Sequence, residues 1–148
     1  MKVKEIEAKI GTLSNPSKMP AYAWGISAKD CKTGSKLAEI EGTICNKCYA
    51  NKGCYVFKVV QDAHKFRKEA IELPEWVDYM AELLTIKYKN KKKEDKYHRW
   101  FDSGDLQSLA DIPHAYEGIL LGLDSVTIFF SISFAVSFFD WLIVSFLF

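Results

Sequence analysis

The order of apolar and polar positions predicts a succession of short strands and helices. Alternation of apolar with polar residues is typical of strands, and recurrence at every third or fourth position is typical of helices. The first pattern predicts strands or extended arms at 2–10, 21–27 and 97–101. The second predicts helices at 56–71 and from Pro74 to about residue 88.

This order of elements predicts an α/β protein with a mainly parallel sheet. Residues 102–105 form a turn after the strand at 97–101, and a further helix is predicted at 106–111. In such folds, binding sites gather beyond the C-terminal ends of the strands. Asp102 and Asp105 therefore lie at a candidate site, although an aspartate at either position would also cap the helix that follows.

The end of the chain is apolar, which divides the sequence into an α/β region at 1–117 and a tail at 118–148. Asp124 and Asp140 are the only charged residues of that tail. A spanning helix needs about 20 apolar residues, and the 23 residues at 126–148 are long enough. Abundant Phe, Val and Ile favour strands instead. A membrane anchor, buried strands and a frameshift after about residue 111 all remain open.

The charge pattern narrows the classes of partner. All 20 lysines and arginines lie at or before Arg99 and are interleaved with acids, so no clear nucleic-acid surface is predicted. The lysine-rich run at 89–93 is interpreted as a solvated loop, with a phosphate-binding patch as the alternative. The N-terminus lacks the apolar core of a signal peptide. We therefore expect a cytoplasmic protein, in which clustered cysteines are more often metal ligands or redox centres than disulfides.

The four cysteines fall within 24 residues, in the spacing Cys31-x13-Cys45-x2-Cys48-x5-Cys54. Two residues between Cys45 and Cys48 let both thiolates bind one metal, and Cys31 reaches the same centre if its loop folds back. Three cysteines suit an iron–sulfur cluster with one open position, four suit structural zinc, and the spacing leaves both open. Thiol–disulfide exchange is disfavoured because no thioredoxin-like context surrounds the pair. Cys54 is equally well interpreted as a small core residue.

Two polar side chains follow the cysteines on the predicted helix. His64 and Arg67 lie three residues apart. We expect His64 to be a partly exposed helix residue, with a contact to a metal cluster as the alternative. We expect Arg67 to pair with Glu69 or Glu72, with binding of a cofactor carboxylate as the alternative.

The strand at 97–101 carries a second pair of candidates. Strand alternation places Arg99 and Phe101 on one face, and His98 and Trp100 on the other. At most one of these pairs therefore points into a site. The aromatic residues of the chain are spread over predicted apolar faces, so we interpret them as core rather than as a base-stacking surface.

Several segments together resemble the phage gene product 88 family. They lie at 18–24, 32–37, 42–50, 52–55 and 99–108 and read KMPAYAW, KTGSKL, GTICNKCYA, KGCY and RWFDSGDLQS. The resemblance covers roughly residues 10–110, and its motifs are specific together and weak singly. The tail departs from it, because the family continues with α/β sequence where this chain becomes rich in phenylalanine.

The Cys-x-x-Cys-Tyr-Ala segment and the acidic glycine turn are also similar to radical S-adenosylmethionine enzymes. That resemblance implies a partial (β/α) barrel whose Cys-rich loop holds a [4Fe–4S] cluster through three cysteines. Carried over by position, the cluster ligands are Cys31, Cys45 and Cys48. The first gap, 13 residues here against three in that class, departs from the motif, and Cys54 has no counterpart.

The same resemblance implies a second group of binding residues. Ser103, Gly104 and Asp105 correspond to the turn that binds the amino group of S-adenosylmethionine. An ammonium group needs a carboxylate and main-chain carbonyls, and a glycine lets the backbone approach closely.

The leading hypothesis is therefore an iron–sulfur enzyme that performs radical chemistry on S-adenosylmethionine, with an unknown substrate. The first alternative is a non-enzymatic phage protein with a structural zinc site. The second is an accessory protein tethered to a membrane through 118–148. A phage origin would place the protein in the host cytoplasm.

Overall fold

The computed structural model describes residues 1–17, 21–92 and 95–105 and the backbone of 127–130. In these residues the helices are α1 Val3–Ile10, α2 Lys32–Ala38, α3 Lys58–Ala70 and α4 Trp76–Tyr88. The strands are β1 Tyr22–Trp24, β2 Tyr97–Trp100 and β3 Thr127–Phe130. Short 3₁₀ helices occupy Ala28–Asp30, Cys45–Lys47, Tyr49–Asn51 and Gly53–Val56.

The three strands form one parallel sheet in the order β1-β2-β3. Tyr22 pairs with His98 and Trp24 with Trp100, so the C-terminal ends of β1 and β2 lie side by side. The connection from β1 to β2 contains α2, α3 and α4. The predicted α/β class and parallel sheet are confirmed, and the described residues form no closed barrel.

The N-terminal segment is a helix, so the predicted strand or arm at 2–10 is wrong. Ile6 and Ile10 are both 0% exposed and lie four residues apart on one side of α1. Val3, which precedes Ile6 by three positions, packs against the same core. The Lys2 N–H donates to the Glu5 carboxylate at 3.0 Å and fixes the first turn. The apolar spacing of three and four therefore outweighs the partial alternation.

A cluster of tryptophans fills the space between the sheet and the helices. Trp24, Trp76 and Trp100 are each 1% exposed, with ring centroids 5.5–6.0 Å apart. The ring of Phe101 packs edge-on to Trp24 at 5.5 Å. Edge-to-face packing sets positive ring edges against negative ring faces. This cluster buries the first turn of α4 directly behind the C-terminal ends of β1 and β2.

The end of α4 joins the beginnings of the same two strands. The Tyr88 hydroxyl accepts the Tyr22 N–H at 3.1 Å and donates to the Tyr97 carbonyl. His98 lies beside it, 0% exposed, with its Nδ1 3.4 Å from that hydroxyl. Tyr88 therefore connects the beginnings of β1 and β2 through its hydroxyl.

Helix α3 agrees with the predicted span. Its buried residues are His64, Arg67 and Ala70, whereas Val59 is 73% and Phe66 41% exposed. The prediction of a partly exposed His64 is wrong, because this side chain is 2% exposed. Arg67 lies on the buried side of α3 because its guanidinium donates to the main-chain carbonyls of Thr12 and Gly25.

The apolar tail is described only in part. Thr127–Phe130 forms β3, which agrees with the strand interpretation at these four residues. The predicted helix at 106–111 and the rest of 118–148 lie outside the described residues. Among the helices that are described, none has the length and apolar character needed to cross a membrane.

Candidate metal centre

Three of the four cysteines, which lie close together in the sequence, line one cavity. It encloses about 350 Å³, and its lining includes Cys31, Cys45 and Cys48. Gly104 and Asp105 of the turn after β2 line the same cavity. Small-molecule sites typically occupy about 300–1,000 Å³. The space is therefore large enough for a metal centre together with a small ligand.

Local backbone geometry brings the three thiols to this cavity. Cys31 is the N-cap residue of α2, and its carbonyl accepts the Ser35 N–H at 2.8 Å. Cys45 opens a 3₁₀ turn in which the Cys48 N–H donates to its carbonyl at 3.2 Å. That single turn keeps the two cysteines close. Cys54 is exposed and does not line the cavity.

Gly34 forms the floor beneath two of the sulfurs. A Cβ atom at this position would lie 2.7 Å from the Cys31 Sγ and 3.6 Å from the Cys45 Sγ. Real Cβ atoms essentially never approach to 2.7 Å. The missing side chain is thus what lets the Cys31 and Cys45 thiols converge above α2.

Two of the thiols hold their protons more strongly than usual. Burial raises the pKa of Cys31, and the Asp105, Cys45 and Cys48 charges raise it further against a hydrogen bond from Gly34. Burial, then Cys48 and Asp105, raise the pKa of Cys45. This clustering of acidic groups would favour a cation, which converts thiols into thiolate ligands.

The chemical type of the donor set fits a soft metal. Thiolates are the ligands that zinc and iron–sulfur clusters prefer. In the described part of the chain, no group of three or more His, Cys, Asp or Glu side chains lies close enough to hold a metal ion as it stands. Binding would therefore draw the sulfurs inward around the cavity that they line.

The turn at 102–105 runs beside the residues that follow β1. The Ile26 N–H donates to the Ser103 carbonyl at 3.0 Å, which extends the parallel pairing past the strand ends. A Cβ at Gly25 would lie 2.7 Å from that carbonyl oxygen and 2.9 Å from the Ser103 N. Gly104 has φ +75° and lies as closely against Ile26. Ser103 itself is 2% exposed and lies outside the cavity lining, unlike the next two residues.

The end of β2 departs from the expected alternation. Arg99 and Phe101 do not share one face, because Phe101 has φ +55° and turns its ring into the core, where it is 6% exposed. A non-glycine residue with positive φ is uncommon and marks a constrained position. The reversal sends Asp102 inward, where it is 4% exposed.

Arg67 is buried and donates to main-chain carbonyls, which corrects the predicted pairing with Glu69 or Glu72. Its guanidinium donates to the Thr12 carbonyl at 2.9 Å and the Gly25 carbonyl at 3.4 Å. Burial raises the pKa of Asp102, and the Arg67 charge acts against that increase. Periodicity alone could not reveal these hydrogen bonds, since Thr12 and Gly25 lie 55 and 42 positions from Arg67 in the sequence.

Neither histidine of the predicted candidates belongs to the cavity lining. The ring of His64 stacks on Tyr55 with centroids 6.3 Å apart. Its Nδ1 has no hydrogen-bond partner among the described residues. Burial, followed by the charge of Arg67, lowers the pKa of His64 to about 4, so the ring is neutral near pH 7.

Two tyrosines near the candidate site were not singled out from the sequence. The hydroxyls of Tyr49 and Tyr55 both donate to the main-chain carbonyl of Asp102. The available signal was the repeated Cys-Tyr dipeptide at 48–49 and 54–55. These contacts connect the cysteine-bearing loop to the end of β2.

Comparison with known proteins identifies one family. The family model described as Gene product 88 matches residues 2–121. No curated protein and no solved structure matches the chain.

Proposed function

This chain belongs to the Gene product 88 family of phage proteins, and we propose that it binds a metal centre through Cys31, Cys45 and Cys48. One observation carries the proposal: three thiols and the Gly104–Asp105 turn line a single cavity. The leading occupant is a [4Fe–4S] cluster, and the leading activity is radical chemistry on S-adenosylmethionine.

Each lining residue has a task in this proposal. The three thiolates would bind three irons and leave the fourth open to a small ligand. Such a cluster would supply the electron that cleaves the sulfonium compound. Asp105 offers a carboxylate to an ammonium group, and Gly104 lets the ligand approach the main chain closely. The final substrate has no assigned residue.

Zinc is the second candidate occupant. A four-cysteine site would need Cys54, which is exposed and outside the cavity. Asp105, however, lines the cavity beside the three thiols and raises the pKa of Cys31. Three thiolates and one carboxylate can complete a tetrahedral zinc site. This arrangement would make the protein a structural module rather than an enzyme.

Two broader features accompany the proposal. We propose that the parallel strands belong to a partial (β/α) barrel, which is supported by the helices in the connection from β1 to β2. We also propose a cytoplasmic protein, in keeping with four cysteines that are all free.

Metal analysis of the full chain tests the occupant. The protein is purified without oxygen, reconstituted with iron and sulfide, and assayed for iron, sulfide and zinc. About four irons and four sulfides per chain are expected for a [4Fe–4S] cluster. About one zinc without iron would replace the enzyme proposal by the structural one. Absence of every metal would contradict both.

Cysteine variants test which thiols bind. Cys31→Ser, Cys45→Ser and Cys48→Ser are each expected to lose most of the metal. Cys54→Ser is the matched control and should retain it, because this residue lies outside the cavity. Equal loss in all four variants would contradict the three-thiol site. Reductive cleavage of S-adenosylmethionine, lost in Asp105→Ala while iron is retained, would establish the activity.

A further inference from the structure

The loop that carries the thiols is attached to the sheet through a repeated dipeptide. Tyr49 directly follows Cys48, and Tyr55 directly follows Cys54. The two rings pack edge to face with centroids 5.8 Å apart. Both hydroxyls donate to the Asp102 carbonyl. Tyrosines six positions apart thus converge on one main-chain oxygen.

The Asp102 carbonyl oxygen forms a joint between the cysteine loop and the end of β2. A carbonyl oxygen has two lone pairs and can therefore accept both hydroxyls. Arg99 donates to the Tyr49 hydroxyl oxygen at 3.3 Å, which leaves the hydroxyl proton directed to the Asp102 carbonyl.

Contacts from α3 hold the second tyrosine in place. The Gln61 side-chain amide donates to the Tyr55 carbonyl, and the Gln61 side-chain oxygen accepts the Ser27 hydroxyl at 2.9 Å. The ring of His64 lies against the other side of Tyr55. The tyrosine is consequently fixed from the helix as well as from the strand end.

The joint links two chain segments that both contribute residues to the cavity lining. On one side, Tyr49 is adjacent in sequence to the cavity residue Cys48. On the other side, Asp102 begins the turn that carries Gly104 and Asp105 into the lining. Since the thiol loop and the turn are separated by more than 50 residues, their spacing depends on tertiary contacts such as the one between Tyr49 and Asp102.

We propose that Tyr49 and Tyr55 are positioning residues, which anchor the cysteine loop to the Asp102 carbonyl and thereby set the distance between the thiols and Asp105. The inference rests on the proposed metal-binding function. Neither tyrosine ligates the metal. Their hydroxyls decide whether the loop presents its sulfurs beside the turn or moves away from it.

The test compares Tyr49→Phe, Tyr55→Phe and the double variant with the wild-type chain. Tyr79→Phe on α4 is the matched control, since its ring contacts Lys9 and not the loop. Iodoacetamide labelling of the metal-free protein is followed for each cysteine by peptide mass spectrometry. Cobalt(II) is titrated separately, because its absorption bands report thiolate ligation and geometry.

Labelling of Cys45 and Cys48 should be about three- to tenfold faster in the double variant, as expected for loss of hydrogen bonds at the joint. The exposed Cys54 is the internal reference and should label at the wild-type rate. Cobalt affinity should fall by a similar factor and the bands should change shape. Thermal unfolding should stay close to that of Tyr79→Phe, which separates local release from general destabilisation.

The outcomes distinguish this inference from the proposed function. Wild-type protein that binds cobalt, with a double variant of unchanged labelling, affinity and spectrum, would overturn the positioning role and leave the metal centre intact. Wild-type protein that binds neither cobalt nor iron would overturn the metal centre, and with it the role of the tyrosines there. Uniformly faster labelling of Cys31, Cys45 and Cys48 with a lower melting temperature would show a purely structural role and also overturn the inference.

Discussion

The Sγ atom of Cys31 lies 2.7 Å from the place where a Cβ atom would stand on Gly34. Gly34, the third residue of α2, thus lies directly against the thiol of Cys31, which is the N-cap residue of the same helix. The Cys45 sulfur lies 3.6 Å from the same point, so one methyl group there would meet both sulfurs. The thiol cavity consequently depends on a residue that has no functional group.

Gly34→Ala is expected to displace the Cys31 thiol and to weaken metal binding by at least about tenfold, since positioning defects of about 1 Å are costly at such sites. Global stability should change little, because alanine favours a helix more than glycine does. Cobalt(II) titration and thermal unfolding measure the two effects. Lys36→Ala, on the same helix and exposed, is the control. Wild-type cobalt affinity in Gly34→Ala would contradict the convergence of thiols above α2.

Arg67 and Asp102 are expected to depend on one another. Arg67→Met would leave two buried main-chain carbonyls without their donor and would remove the charge that favours the ionised Asp102, at a cost of about 1–3 kcal/mol in unfolding free energy. Asp102→Asn in the same chain should recover part of this loss. Urea denaturation of both single variants and the double variant provides the coupling energy.

Lys65→Met is the control for the preceding prediction, because Lys65 lies on the exposed side of the same helix and makes a salt bridge with Glu69 at 4.0 Å. Its unfolding free energy should stay within about 0.5 kcal/mol of wild type. Strictly additive effects of the Arg67 and Asp102 substitutions would show that their charges do not interact.

The local conformation of most elements followed from periodicity, but their orientation did not. Helix α3 was predicted nearly in full, since recurrence at threes and fours reports helical conformation. Which side it buries depends on its partner, and the carbonyls of Thr12 and Gly25 select the side with Arg67. The segment at 2–10 failed for a different reason, because a short pattern fits both periods and packing against α4 decides.

The candidate site was likewise predicted only in part. Cysteine spacing suggested that Cys45 and Cys48 lie together, because two intervening residues leave few alternatives. The contact between Tyr49 and Asp102 spans 53 positions and has no local signature. Its partner is moreover a main-chain carbonyl, which every residue carries, so residue type could not identify it. Long-range contacts to the backbone are therefore the part that sequence reasoning misses.

The orientation of α3 has its own test. Val59 is 73% exposed, so Val59→Ser should change the unfolding free energy by no more than about 0.5 kcal/mol. Leu83 of α4 is 0% exposed, and Leu83→Ala should cost about 2–5 kcal/mol. Urea denaturation compares the two. A loss of more than about 2 kcal/mol in Val59→Ser would place this residue in the core and contradict its position on the exposed side of α3.

Acid is expected to destabilise the protein through its buried histidines. Burial and the Arg67 charge lower the pKa of His64 to about 4, and burial lowers the pKa of His98 to about 3, from 6.5. Below pH 6.5, these histidines therefore bind protons in the unfolded chain that they do not bind in the folded chain. The free energy of unfolding therefore keeps its full value above pH 6.5. It decreases as the pH falls towards 4, by about 2 kcal/mol per histidine at pH 5.

The contribution of one histidine can be isolated by substitution. The decrease in unfolding free energy between pH 7.5 and pH 5.0, measured by urea denaturation, should be about 2 kcal/mol smaller in His64→Gln than in wild type. Asp102 has its pKa raised by burial and changes stability in the opposite direction. Because that change occurs in both proteins, the comparison largely removes it. Parallel pH dependences would mean that His64 titrates alike in the folded and unfolded chains, which its burial beside Arg67 argues against.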